Sequence, residues 1–421
     1  MKKFYSFFLS FVIILTIALL SLTLINAIPN SWIRENINES AKELAKEGLY
    51  PQYGSQFLRL DNFTDALMLN IAYTSDGTSP FLQTMKNPYA HVEEKDNIET
   101  LQIVSTPHSI PPTNEPSRVG YEYYGRYWHG YLLTLKPLLI FFNYNQIRLI
   151  NCFFVSLLII LASVGIYKKL PSIYLWLYLL TLAIFYLPVG MFSLQFSSCF
   201  IIANLSVIVI TWAHKRWIEK YSVLLFFIIG ILTAFFDFLT SPLVTLCLPL
   251  IIYGGLKGNL SFKDLVILSV AWGIGYALFW SSKWLVAVSF CDFNFMDDVA
   301  GSISQRTTGE LPQLMSSYFG SSQKFLILAS IVSIGVISAC ILLSTILIRK
   351  YGKFDFINSK MYLALIALYP WVWFLLLINH SIVHLWFTYR AWASTFFCIS
   401  LLIYFIFSKN VKNSRYDTLL Q

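Results

Sequence analysis

The chain has 421 residues, is 57% hydrophobic and only 12% charged, and carries a net charge of +8. A charged share roughly half that of an ordinary soluble domain excludes a soluble globular enzyme and makes the chain a polytopic membrane protein. In that setting the basic surplus is an orientation signal, the lipid bilayer is the first partner, and no nucleic-acid partner is expected.

The first apolar run, residues 4 to 27, is longer than the core of a secretory signal and reads as a retained span. Further spans are expected near 147 to 167, 172 to 190, 196 to 213, 221 to 236, 239 to 254, 265 to 289, 325 to 348, 361 to 378 and 391 to 407, about ten in all. With the amino terminus inside, the short connections Lys168/Lys169, "HKRWIEK", "GGLKGNLSFKD" and "RKYGKFDFINSK" and the tail "SKNVKNSR" are all cytoplasmic and all basic. The turns "LPVGMFSLQFSS" and "FDFLTSP" on the other side contain no Lys or Arg. The expected fold is therefore all-α, with a first span (1–27), an extracytoplasmic loop (28–146), spans two to seven (147–289), a second extracytoplasmic loop (290–324), spans eight to ten (325–407) and a cytoplasmic tail (408–421). Both termini are cytoplasmic in this arrangement, in a multi-pass protein of the cell membrane. Of the six cysteines only Cys291 falls in an extracytoplasmic loop, so no disulfide framework or CxxC metal site is implied.

Within the first loop, "SWIRENINESAKELAKEG" offers Ser31 as an N-cap, Ile33, Ile37 and Leu44 on one face, and Gly48 as a stop, which predicts an amphipathic helix on the membrane surface. In "LRLDNFTDALMLNIAYTSDG", Asp61 can cap a helix carrying Leu67, Met68 and Ile71. The prolines of 105 to 118 mark a loop, and "YEYYGRYWHGYLLTLKPLLIFF" predicts a second surface helix leading into span two.

The extracytoplasmic side collects the polar residues that can carry chemistry. Asp61 and Asp65 stand four apart and share a helical face, where paired carboxylates supply a general base or hold a divalent cation; taken alone, capping and the helix dipole are the simpler explanation. The sequence calls for no cofactor beyond that open question of a divalent cation. In "YYGRYWHGY", Arg126 and His129 sit among Tyr124, Trp128 and other rings, a mixture that can stack on a sugar and fork onto a phosphate, although an interfacial aromatic belt accounts for the rings. Asp237 lies where span five turns into span six, and Lys283 lies inside span seven; each has to meet a partner, cap a turn or snorkel. In "NHSIVHLWFTYR", His380 and His384 have i, i+4 spacing beside Trp386, Tyr389 and Arg390. Without an HExxH glutamate, that segment is better suited to binding a phosphate than a metal, with ordinary capping as the alternative.

A short amino-terminal stub, one span, a large extracytoplasmic loop with early acids and many spans with short loops resemble the GT-C class of integral membrane glycosyltransferases. The stretches "LDNFTDALML", "YYGRYWHGY", "FDFLTSP" and "NHSIVHLWFTYR" look like those of bacterial membrane proteins near that class. The resemblance implies a sugar on a polyprenyl phosphate as donor, a cell-envelope glycan or polymer as acceptor, and an acid of the first loop as general base, a role that falls on Asp61 or Asp65. Arg390, His380, Lys283 and Arg126 would then face the phosphate, and Tyr124, Trp128 and Trp386 the sugar. The chain departs from the class in lacking an adjacent Asp-Glu pair soon after the first span. A lipid-linked glycan polymerase or ligase, a transporter or flippase of lipid-linked or polar solutes, and a non-catalytic assembly partner remain as alternatives.

Overall fold

The computed structural model describes residues 2–54, 58–106, 119–291, 295–307 and 354–418. Among them six helices are long and apolar enough to cross a membrane: Tyr5–Asn26, Tyr144–Lys169, Leu194–Trp212, Lys215–Phe236, Phe262–Phe290 and Leu385–Ile406. The chain is thus a mostly helical, multi-pass membrane protein.

Of the ten or so spans expected, the described residues thus contain six helices of sufficient length and apolarity. Ser172–Phe185, Leu243–Lys257 and Lys360–Leu376 are apolar but shorter, and at 1.5 Å per residue a helix of 14 or 15 residues falls short of a hydrocarbon core of about 30 Å. Leu243–Lys257 shows why hydropathy overcounted. Every residue from Leu243 to Gly254 is buried in protein, so its all-round apolarity serves a core and not lipid. The run from 361 is interrupted, with helices at Phe354–Ala367 and Tyr369–Leu376 and Pro370 at the start of the second. The expected span at 325 to 348 and most of the second loop lie outside the described residues.

Helix α1 (Lys2–Asn26) leads into a cap built from α2 (Arg34–Glu47), α3 (Asn62–Tyr73), α4 (Pro80–Lys86), β1 (Pro88–Val92), α5 (Asn97–Ser105), β2 (Val119–Tyr123) and α6 (Leu132–Leu138). Local signals explain its elements. Asp61 caps α3 through Thr64 N (3.1 Å), Asp96 and Glu99 form a capping box on α5, and α2 stops at Gly48, whose φ of 81° suits glycine. Ser31 is not the N-cap expected of it: Asn30–Trp32 is a single 3-10 turn and Ile33 occupies the cap position. Nor does α2 offer its apolar face to lipid. Ile33, Ile37, Ala41 and Leu44 are fully buried, in one cluster with Leu101, Leu139 and Tyr144.

The fold is not purely α. Strands β1 and β2 pair antiparallel, from Pro88 opposite Tyr123 to Val92 opposite Val119. The expected second surface helix is therefore replaced over 119–131 by a strand and a tight turn, and only Leu132–Leu138 is helical before α7 (Tyr144–Lys169).

The cap is locked onto the spanning helices by polar ties. Trp128 Nε1 donates to Phe279 O (2.6 Å) and Trp280 Nε1 to Arg126 O (2.8 Å), both on α13 (Phe262–Phe290). Arg148 of α7 pairs with Glu47 (2.8 Å) and donates to Asn62 Oδ1 (2.6 Å). Helices α11 (Lys215–Phe236) and α13 cross closely at two glycines: a Cβ on Gly230 would meet Trp272 O at 2.0 Å, and one on Gly275 would meet Phe227 O at 2.1 Å. Small residues at a crossing let helix backbones approach where lipid supplies no hydrophobic drive.

Candidate functional site

A cavity of about 640 Å³ opens between the cap, the start of α10 (Leu194–Trp212), the turn after α11, helix α14 (Phe295–Thr307) and the segment 379–387. Its wall includes Arg59, Asp61, Tyr124, Arg306, His380, His384 and Trp386.

Asp61 reaches this wall because it is the N-cap of α3, where the backbone is non-helical and the side chain folds over the first turn. Its carboxylate accepts from Thr64 N (3.1 Å) and Thr64 Oγ1 (2.8 Å). The side chain is 2% exposed. Burial, with the charge of Asp65 one turn on, pushes its pKa up to about 7 against the pull of Thr64 and Arg59. Asp61 is thus poised to accept a proton near neutrality.

Asp65 has a different role. It is fully buried behind the cavity, accepting from Tyr144 OH, Ser193 Oγ (3.0 Å) and Gln195 N (3.3 Å), and so pins α3 to the starts of α7 and α10. Burial raises its pKa to about 6, opposed mainly by Arg148. With three donors already on it, Asp65 does not share a cation with Asp61. Among the described residues no three His, Cys, Asp or Glu side chains converge as metal ligands.

The same cavity wall carries positive charge and flat rings. The Arg59 guanidinium lies 3.8 Å from the centroid of Trp386 and 5.0 Å from that of Tyr50. Arg306 donates to Ser302 O (3.2 Å) and, among the described residues, has no carboxylate within ion-pair distance. His380 and His384 lie one turn apart with tilted rings whose centroids are 4.8 Å apart, and His380 Nε2 lies 3.0 Å from Leu239 O. Burial holds both imidazoles neutral, pulling His380 to about 3 and His384 to about 4. At neutral pH the cations of this wall are therefore arginines and not histidines. Gln195 Oε1 and Asn379 Oδ1, both buried atoms of lining residues, have no protein partner among the described residues.

The other expected site residues are not part of the lining. Arg126 is paired with Asp298 (3.0 Å) while stacking 4.2 Å from the Tyr124 ring, and so braces α14 and Tyr124 from behind. His129 is fully buried at φ 56°, with Nε2 2.8 Å from Tyr124 O, and burial drops its pKa to about 3. Trp128 and Lys283 belong to the joint between cap and α13, where Lys283 Nζ donates to Thr84 O and lies 5.3 Å from the Trp128 ring. Asp237 turns back to cap Thr240 N (3.1 Å), the bland alternative for that residue. Tyr389 and Arg390 lie behind the wall: the Arg390 guanidinium sits 4.1 Å from the Phe196 centroid and donates to Phe387 O (3.3 Å). Of the candidate residues read from the sequence, Asp61, Tyr124, His380, His384 and Trp386 line this cavity, whereas Asp65, Arg126, Trp128, His129, Asp237, Lys283, Tyr389 and Arg390 do not.

Arg59, Arg306 and Gln195 are among the lining groups that sequence reasoning missed. Arg59 had a signal, standing two residues before Asp61 on an extended approach to α3. Arg306 had none, because its place depends on how α14 packs.

No protein-family model, curated protein or solved structure matches this chain.

Proposed function

We propose that this cavity is the active site of a membrane glycosyltransferase of the GT-C kind, transferring a sugar from a polyprenyl-phosphate donor to an extracytoplasmic envelope glycan. The observation that carries the reading is the single cavity in which a carboxylate with pKa about 7 meets two guanidinium groups and several aromatic faces. A base works best when its pKa lies near the operating pH, and arginines suit a phosphate whose charge grows as it leaves. Ring faces of Trp386 and Tyr124 suit the apolar side of a sugar.

In this mechanism the acceptor hydroxyl oxygen attacks the anomeric carbon and gives its proton to Asp61. The bond from that carbon to the phosphate oxygen breaks, its electron pair stays on the phosphate, and Arg306 and Arg59 stabilise the charge. Direct displacement inverts the anomeric centre. Asp65 acts as a positioning residue, holding α3 and the Gln195 backbone in place. The basic short loops at the other end of the bundle support an extracytoplasmic location for the cavity, with both termini in the cytoplasm.

The test is purified protein presented with polyprenyl-monophosphate and polyprenyl-diphosphate sugars plus a glycan acceptor, with release of lipid phosphate measured. Release of monophosphate by the wild type, lost in Asp61→Asn, is the expected result. Release of diphosphate would assign the site to a polymerase or ligase, and movement of a solute without bond cleavage would assign it to transport.

A further inference from the structure

A second cavity, of about 220 Å³, lies among the ends of α7, α10, α11 and α12 (Leu243–Lys257) and shares no lining residue with the first. Its rim carries Lys169, Lys215 and Lys257 against a single acid, Glu219, and its wall is made of Ile210, Ala213, Ile218 and Leu256. The lysines stand at helix ends. Lys169 and Lys257 lie in the last turns of α7 and α12, where they offset the carbonyl dipoles, while Lys215 opens α11. Their charge is only partly spent. Lys257 is paired with Asp264 outside the cavity, Lys215 reaches Glu219 only at 3.8 Å with the lysine 78% exposed, and Lys169 has no carboxylate within ion-pair distance among the described residues. Lys168, Arg216 and Lys220 add to the same field.

Depth follows from the rings around the rim. Tyr167, Trp212 and Trp217 are exposed, and Lys168 Nζ lies 4.9 Å from the Trp212 ring. Tyrosine and tryptophan of this kind sit at the headgroup level of a bilayer, with lysine above them. A cationic rim over an apolar wall at that depth matches an amphiphile with a negative head. Its volume is below the 300 to 1,000 Å³, roughly, of sites that enclose a whole drug-sized molecule. It therefore takes a headgroup while acyl chains run down the helix sides.

We infer that the cavity framed by Lys169, Lys215 and Lys257 binds the phosphodiester headgroup of an anionic phospholipid. The inference does not depend on the transferase reading, nor on which leaflet this end faces. A bound lipid would tie together the ends of four helices, of which only α10 and α11 are joined by a turn at this end.

Native mass spectrometry of the full chain in neutral detergent tests this, with titrations of phosphatidylglycerol, phosphatidylcholine and inorganic phosphate. Phosphatidylglycerol should bind at least about fivefold more tightly than phosphatidylcholine, and each lysine removed should cost about fivefold, so that Lys169→Gln with Lys215→Gln weakens it on the order of twentyfold. Ala213→Phe, which fills the cavity at constant charge, should weaken it roughly tenfold, with Ala213→Leu as the milder variant if the first does not fold. Lys263→Gln, on the same face but away from the rim, should leave it unchanged. Equal binding of the two lipids, full binding by the filled variants, a loss in Lys263→Gln as large as in the rim variants, or displacement of the lipid by inorganic phosphate would each overturn the inference.

Discussion

At the capped end of the bundle, Asp61 is 2% exposed, Asp65 is wholly enclosed by three donors, and Arg59 is held between two rings. At the opposite end, Lys215 is 78% exposed and Lys257 meets Asp264 in a part-exposed pair. Both ends are charged, yet the charges behave differently. Surrounded by protein, the Asp61 carboxyl is pushed up to about 7, whereas the lysines in contact with water act through a summed field. In the proposed reading, charged residues thus serve reaction at one end and orientation and lipid contact at the other. The difference lies in the shell around them.

The comparison breaks most visibly if Asp61 is dispensable. Asp61→Asn preserves the cap of α3, since Asn caps as well as Asp, but cannot take a proton; turnover in the lipid-phosphate release assay should fall about 10²- to 10⁴-fold with unchanged membrane insertion. Next in size is the joint that creates the enclosure. Arg148→Ala strips Glu47 and Asn62 of a buried partner and should cost about 3 kcal/mol in a denaturation experiment in detergent, at the low end for such pairs because Glu47 is 29% exposed. Trp386→Ala removes the platform of Arg59 and should lower kcat/KM roughly tenfold, with a smaller effect on thermal stability. Smallest of all, Lys263→Gln on the exposed face should change neither stability nor turnover measurably, since exposed surface charges contribute about 0–1 kcal/mol.

What could be read from the sequence was local or periodic. The membrane class, the first span, the Asp61 cap and the Gly48 stop follow from composition and from neighbours within one helical turn. Hydropathy then overcounted spans because it responds to an apolar environment without distinguishing lipid from the protein core that surrounds Leu243–Lys257. The sheet was missed because β1 and β2 are short and separated by α5, so neither shows a partner to a local reading. The cavity was half legible. Asp61, Tyr124, His380, His384 and Trp386 drew attention as unusual polar and aromatic residues at one face, but the same criterion also selected Trp128 and Lys283, which hold the cap onto α13. Unusual residues mark desolvated places, and joints are desolvated as thoroughly as sites. Telling them apart needed the packing of segments around residues 59, 195, 306 and 380, which no local pattern encodes.

Enclosure also leaves a mark on stability. A carboxyl whose folded pKa lies above its unfolded value of about 4 favours the folded state most below pH 4, and that stability is lost as the pH rises through the folded value. For Asp61 the window runs from about pH 4 to about pH 7. Wild-type stability should therefore decline across it more steeply than that of Asp61→Asn.

The most direct measurement is an infrared difference titration of wild type against Asp61→Asn, following the protonated carboxyl band from pH 4 to pH 9. A band absent from the variant and disappearing with a midpoint near 7 is the predicted result. A midpoint near 4 would mean that the capped end leaves Asp61 an ordinary surface acid, and the contrast between the two ends of the bundle would lose its chemical content.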